Sequence, residues 1–189
     1  MNLVLIGYRG TGKSTIGALL AGRLKMRYVS TDAEIVKRAG MSTPEIVERY
    51  GWKRFRDLES EVTRDLTRLD NLIIDTGGGV IERPENVREL QDHGRVFWLT
   101  ATVDTIVARI RTGTERPALT PGKTFTDEVA EVLEKRTPVY RSVAHYAVGT
   151  DGATPQHVAE EIAELWAQDR DVPAVSSCLR TRPARRQGC

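Results

Sequence analysis

The chain has 189 residues, 40% hydrophobic and 29% charged, with 28 Lys and Arg against 26 Asp and Glu for a net charge of +2. That length suits one domain with a full core, or one domain plus a tail, and argues against two full domains. No apolar run approaches the roughly 18 residues of a membrane helix, and the opening MNLVLIG has neither the basic leader nor the apolar length of a signal peptide, so a cytoplasmic protein without a membrane partner is expected.

In chain order, NLVLI (2–6) is a short continuous apolar run, which suits a strand covered on both faces. It runs into GYRGTGKS (7–14), a match to G-x-x-x-x-G-K-[ST], and then into a helical face of Ile16, Leu19, Leu20 and Leu24. Strand, loop and helix are the context this motif requires. Glycines let the backbone N–H groups of Gly10, Thr11 and Gly12, with Lys13, Ser14 and Thr15 at the helix start, face the phosphates of a nucleoside triphosphate. Lys13 is expected to reach the β and γ phosphates and Ser14 to place its hydroxyl on Mg²⁺. Hydrolysis and phosphoryl transfer both remain open on the loop alone, although the length and the lack of an NKxD stretch favour a small kinase.

A second strand is expected near Tyr28 and Val29, followed by STDAE (30–34). Asp32 is placed there either to accept the proton of an acceptor hydroxyl or to cap the helix AEIVKRA. Ser42 and Glu45 form a capping-box pattern, and Phe55, Leu58, Val62, Leu66 and Leu69 step by three or four along an amphipathic helix. On that helix Arg56 has Glu59 three residues on, within reach to hold the guanidinium, although a solvated ion pair has the same spacing.

LIID (72–75) is the next strand, ending in Asp75, and Gly77, Gly78 and Gly79 follow. A simple turn needs one glycine, so three point to bare main chain beside a small bound ring. A helix from about Pro84 to Gly94, strand VFWL, a helix carrying Val103, Ile106, Val107 and Ile110, and the polar interval RTGTERPALTPGKTFT come next. The following helix is expected to end near Arg136, before Pro138, where Arg136 either complements the helix dipole or binds an anion. Strand HYAV and a helix opened by Thr154 and Pro155 close the domain at about residue 170. Alternating strands and helices mean βαβ units around a parallel sheet, with ligands beyond the strands' C-terminal ends. Residues 171–189 hold four arginines and, after Asp171, no acid, and read as a disordered tail, not a nucleic-acid contact; Cys178 and Cys189 in it read as incidental thiols.

Taken together, GYRGTGKST, STD, FRDLE, TGGGV, ERPAL and EKRTPVYR stand in the order and at the spacing of shikimate kinase, which the chain resembles over residues 1 to about 168. The resemblance implies a three-layer α/β/α P-loop kinase fold with a five-stranded parallel sheet, and transfer of the ATP γ-phosphoryl to the 3-hydroxyl of shikimate; no long exposed apolar stripe demands a partner, so a monomer is expected. The resemblance implies further that Asp32 holds the reacting hydroxyl, that Arg56 and Arg136 clamp the substrate carboxylate, and that Gly78 contacts the substrate through its backbone. Arg116, in ERPAL, would close onto ATP as part of a lid at about 111–125. One departure is Ser30, where the family usually shows the first carboxylate of Asp-x-Asp. Asp75 then either supplies the missing charge to Mg²⁺ or merely caps the glycine turn. A non-catalytic nucleotide-binding homologue and a kinase for another small hydroxy acid are the competing functions.

Overall fold

The computed structural model of the protein describes residues 1–111 and 124–170. Its elements are β1 (Asn2–Ile6), α1 (Lys13–Leu24), β2 (Arg27–Ser30), α2 (Thr31–Ala39), α3 (Thr43–Thr67), β3 (Leu72–Asp75), a 3-10 turn (Val80–Glu82), α4 (Pro84–His93), β4 (Gly94–Thr100), α5 (Val103–Arg111), α6 (Phe125–Val143), β5 (Tyr146–Gly149) and α7 (Pro155–Arg170). The strands form one parallel five-stranded sheet in the order β2-β3-β1-β4-β5. Arg116, the expected lid between α5 and α6, and the tail from 171 lie outside the described residues.

The alternation of side chains along β1 builds two cores. Leu3 and Leu5 point to the face covered by α1 and α7, against Leu20, Phe97, Ile162 and Trp166. Val4 and Ile6 point to the other face, against Phe55, Val62, Leu66, Leu90 and Tyr140 of α3, α4 and α6. Both faces of the central strand are therefore dry, which is why NLVLI carries no polar alternation. Neighbours of β1 diverge in sequence, β3 on one side and β4 on the other, and the chain reversal opens a crevice above its C-terminal end.

Three local expectations change. Helix α6 does not end near Arg136 but continues through Pro138 to Val143. Its apolar stripe persists past the proline: Tyr140 is fully buried and stacks on Trp98 at 5.9 Å, and Val143 is 2% exposed. That packing outweighs the lost backbone hydrogen bond. Arg136 thus sits mid-helix, where complementing a terminal dipole is no longer its role. Ser30, not Asp32, caps α2, accepting from the Ala33 N–H at 3.3 Å. The long amphipathic helix is kinked at Gly51 and stops at Thr67, two residues before Leu69. The Ser42 and Glu45 capping box is present as expected.

One side chain joins the sheet. The Val96 N–H donates to His145 Nδ1 at 3.0 Å while the His145 N–H donates to the Val96 carbonyl at 2.8 Å. Burial, aided by the Arg95 charge and opposed by Asp169, holds the imidazole pKa below 6.5. The unfolded chain then binds more protons than the folded one as pH falls below 6.5, so this contribution to stability is present above that value and lost through the folded pKa. Unfolding midpoints in urea should drop between about pH 7.5 and pH 5.5, and His145→Asn should flatten part of that drop. Identical slopes in the two proteins would refute the assignment.

Candidate active site

Loop 7–12 joins β1 to α1, and Gly12 at the helix N-cap adopts φ 92° and ψ 11°, a left-handed geometry that a side chain disfavours. This turn directs the first N–H groups of α1 into the crevice. Within the loop Lys13 donates to the carbonyls of Gly7 at 2.8 Å and Tyr8 at 3.1 Å. Burial lowers its pKa, and the charges of Asp75 and Asp32 oppose that shift.

Ser14 and Tyr28 both donate to Asp75 Oδ2, each at 2.7 Å. Burial, then the hydrogen bond to Asp75, pushes the Tyr28 phenol up to about 12, so it is a donor at neutral pH. Two N–H groups of the glycine turn go elsewhere than Asp75: the Gly77 N–H to Thr31 Oγ1 at 3.0 Å and the Thr76 N–H to the Leu5 carbonyl. Asp75 and Ser30 are register partners on β3 and β2, so a carboxylate at either position faces the same part of the sheet edge. A hydroxyl and a carboxylate side by side are hard oxygen donors of the kind Mg²⁺ takes alongside phosphates and waters. Among the described residues no cluster of three His, Cys, Asp or Glu offers a fuller metal cage.

These groups surround one cavity of about 600 Å³, lined by the phosphate loop including Thr11, Gly12 and Thr15, and by Ser30, Asp32, Asp75 and Gly78. Its other end reaches Arg109, Thr150, Pro155 and Val158. Arg109 is fixed there by bonds to the Gly10 carbonyl at 3.2 Å and the Thr150 carbonyl at 2.6 Å.

The triple glycine has a reason in close approach. A Cβ on Gly77 would stand 2.7 Å from Asp32 Oδ1 and 3.0 Å from Glu59 Oε1, and one on Gly79 only 2.2 Å from Arg56 Nη2. Two glycines are therefore demanded by the site's own side chains. Gly78 is different: its Cβ would meet Gly7 O, Arg136 Nη1 and Arg9 N at 3.5–3.6 Å, ordinary contact distances, so no resident side chain demands a glycine there.

Arg56 donates to Glu59 Oε2 at 2.8 Å, with the side chains 17% and 1% exposed, which excludes a solvated surface pair. The second oxygen of Glu59 has no hydrogen-bond partner among the described residues, and burial raises the pKa of this carboxyl although Arg56 opposes it. Arg136 lies across the glycines, over the Tyr8 ring, and Tyr140 donates to the Gly78 carbonyl beside it. Glu82, which the sequence reading did not single out, bridges both arginines, contacting Arg56 Nη2 at 3.0 Å and Arg136 Nη2. Tyr28 and Arg109 were missed as well. Each is isolated in sequence and joins the site only through strand register or helix packing.

A family model described as shikimate kinase matches residues 9–167. Relatives named shikimate kinase include one from Geobacter sulfurreducens, 42% identical and aligned over 86% of this chain and 88% of its own, and one from Thermodesulfovibrio yellowstonii, 40% identical over 87% and 94%. Among solved structures, the shikimate kinase of Acinetobacter baumannii in complex with shikimate superposes with a TM-score of 0.84 at 32% identity, covering 90% of this chain and 95% of that one. On these matches, over a parallel sheet and phosphate loop of the matching kind, the chain belongs to the shikimate kinase family.

Proposed function

We propose that the chain phosphorylates the 3-hydroxyl of shikimate with ATP, giving shikimate 3-phosphate and ADP, with the residues of this cavity and of the glycine turn beside it in defined roles. The observation that carries the reading is the convergence of an anion-binding loop, a carboxylate and two arginines on the glycine turn that follows β3. Backbone N–H groups of Gly10, Thr11 and Gly12, with Lys13 and Thr15, hold the ATP phosphates, and the base lies toward Arg109 and Pro155. Arg56 and Arg136 take the shikimate carboxylate as paired guanidinium forks while the ring rests on Gly78. Asp32 then accepts the hydroxyl proton as oxygen attacks the γ-phosphorus, ADP leaves, and Lys13 neutralises charge on the phosphoryl oxygens. Ser14 and Asp75 would hold Mg²⁺, whose charge offsets that of the triphosphate.

Residues 1–170 form the catalytic domain in this reading. Arg116, from the 111–125 segment, closes on ATP to exclude water. The enzyme works as a cytoplasmic monomer without nucleic-acid or membrane partners, and no helix among the described residues is long and apolar enough to cross a membrane. Coupled measurement of ADP release with and without shikimate tests the whole: release that ignores shikimate leaves a nucleotide-binding homologue, and release that responds to another hydroxy acid instead leaves a different kinase.

The metal role has its own test. Asp75→Asn should raise the Mg²⁺ concentration for half-maximal rate by about tenfold or more, since one charged ligand of very few is neutralised. Binding of Mn²⁺ in the presence of an ATP analogue, followed by electron paramagnetic resonance, should weaken in parallel. An unchanged metal requirement would remove Asp75 from the site.

A further inference from the structure

We propose that Glu82 is a resident competitor for the acid-binding arginines and sets the affinity for the acceptor's carboxylate. The inference rests on the reading of Arg56 and Arg136 given above. One carboxylate already spans the two guanidiniums, with Oε2 on Arg56 Nη2 at 3.0 Å and Oε1 on Arg136 Nη2. This is the arrangement that a small bound acid would itself require.

Both terminal nitrogens of Arg56 already face a carboxylate. Nη1 is held by Glu59 and Nη2 by Glu82. The four groups Arg56, Arg136, Glu59 and Glu82 sum to zero charge, so an incoming carboxylate makes the cluster a net anion unless one of the resident acids departs. Exposure decides which. Glu59 is 1% exposed and cannot reach water, whereas the Glu82 side chain is 42% exposed. Its backbone N–H is tied to the Gly79 carbonyl at 3.0 Å in the 3-10 turn, so the side chain can swing out while the turn stays. Free arginines are then a fraction of the population, and the apparent dissociation constant of the acid is raised by the inverse of that fraction. A partly solvated pair on each guanidinium corresponds to a factor of about three to ten.

Glu82→Gln keeps the shape and removes the charge, and shikimate binding is read by titration calorimetry, with KM and kcat alongside. Binding should tighten about three- to tenfold and KM should fall by more than any change in kcat. Shikimate methyl ester, which brings no carboxylate, should gain nothing from the change. Glu82→Ala should move binding in the same direction, which separates loss of charge from any local unfolding seen with one variant. Unchanged or weaker shikimate binding in both variants overturns the proposal and makes Glu82 a partner that holds the arginines ready. Arg136→Ala separates the two levels of the argument. If it leaves shikimate binding intact, the clamp itself is wrong; if it weakens binding and Glu82→Gln does not tighten it, only the competitor is lost.

Discussion

Replacing Asp32 by Asn should lower kcat at saturating ATP and shikimate by about two to four orders of magnitude, the range that general base catalysis contributes. The change keeps the side chain's shape and its fit against Gly77, where a Cβ would stand 2.7 Å from Oδ1. What it removes is the ability to take the hydroxyl proton. The helix cap should survive, because Ser30 and not Asp32 caps α2, and the lost interaction with the helix dipole is about 0.3–1 kcal/mol. Kinetics and a thermal melt on the same preparation check both halves. A loss of kcat under about tenfold would mean that the hydroxyl gives up its proton elsewhere.

Arg56→Met should do two separable things. Removing one fork of the acid clamp should lower kcat/KM for shikimate by roughly two to three orders of magnitude, the scale of truncating one partner of a desolvated charge pair. It also leaves Glu59 buried without its cation, and breaking such a pair costs about 3–5 kcal/mol. Burial already lifts the Glu59 pKa above its ordinary 4.5, and without Arg56 it rises further. Between 4.5 and the folded value the folded state holds a proton that the unfolded chain has released, so stability falls as pH rises through that window. The melting deficit of the variant against the parent protein should therefore be small near pH 4.5 and widen toward neutrality. Adding Glu59→Gln should restore the melt and leave kcat/KM low. A deficit independent of pH would show that Glu59 does not carry the cost.

Much of this site was legible in the chain because its parts are local. GYRGTGKS carries its own conformation, and the apolar run before it and the helix after it fix where the loop opens. Asp32, Asp75 and the three glycines were recognisable because strand ends in a parallel sheet deliver residues to one edge. Other features depended on packing at a distance. Pro138 reads as a stop, yet Tyr140 and Val143 beyond it are core residues that keep the helix going. Glu82 is one acid in a turn until the Gly79 backbone and the mid-helix position of Arg136 bring two guanidiniums onto it. Likewise Tyr28 sits in a four-residue strand with nothing to mark it, and only the neighbouring strand β3 shows that its hydroxyl meets Asp75. Spacing along a helix found the Arg56 and Glu59 pair but not its burial, since depth below the surface is a property of what covers the pair.

The pairing of Ser30 with Asp75 has a wider consequence for how such a catalytic rim changes over time. Adjacent strands lie about 4.8 Å apart, less than the breadth of a hydrated divalent ion, so a negative charge can change its host strand while the ion keeps its place. On the proposed metal role of Asp75, a substitution at one rim position would be answered by its lateral neighbour, not by a residue nearby in sequence. Motifs written along a single segment overlook this trade, whereas the hydrogen-bonded ladder identifies the two partners directly.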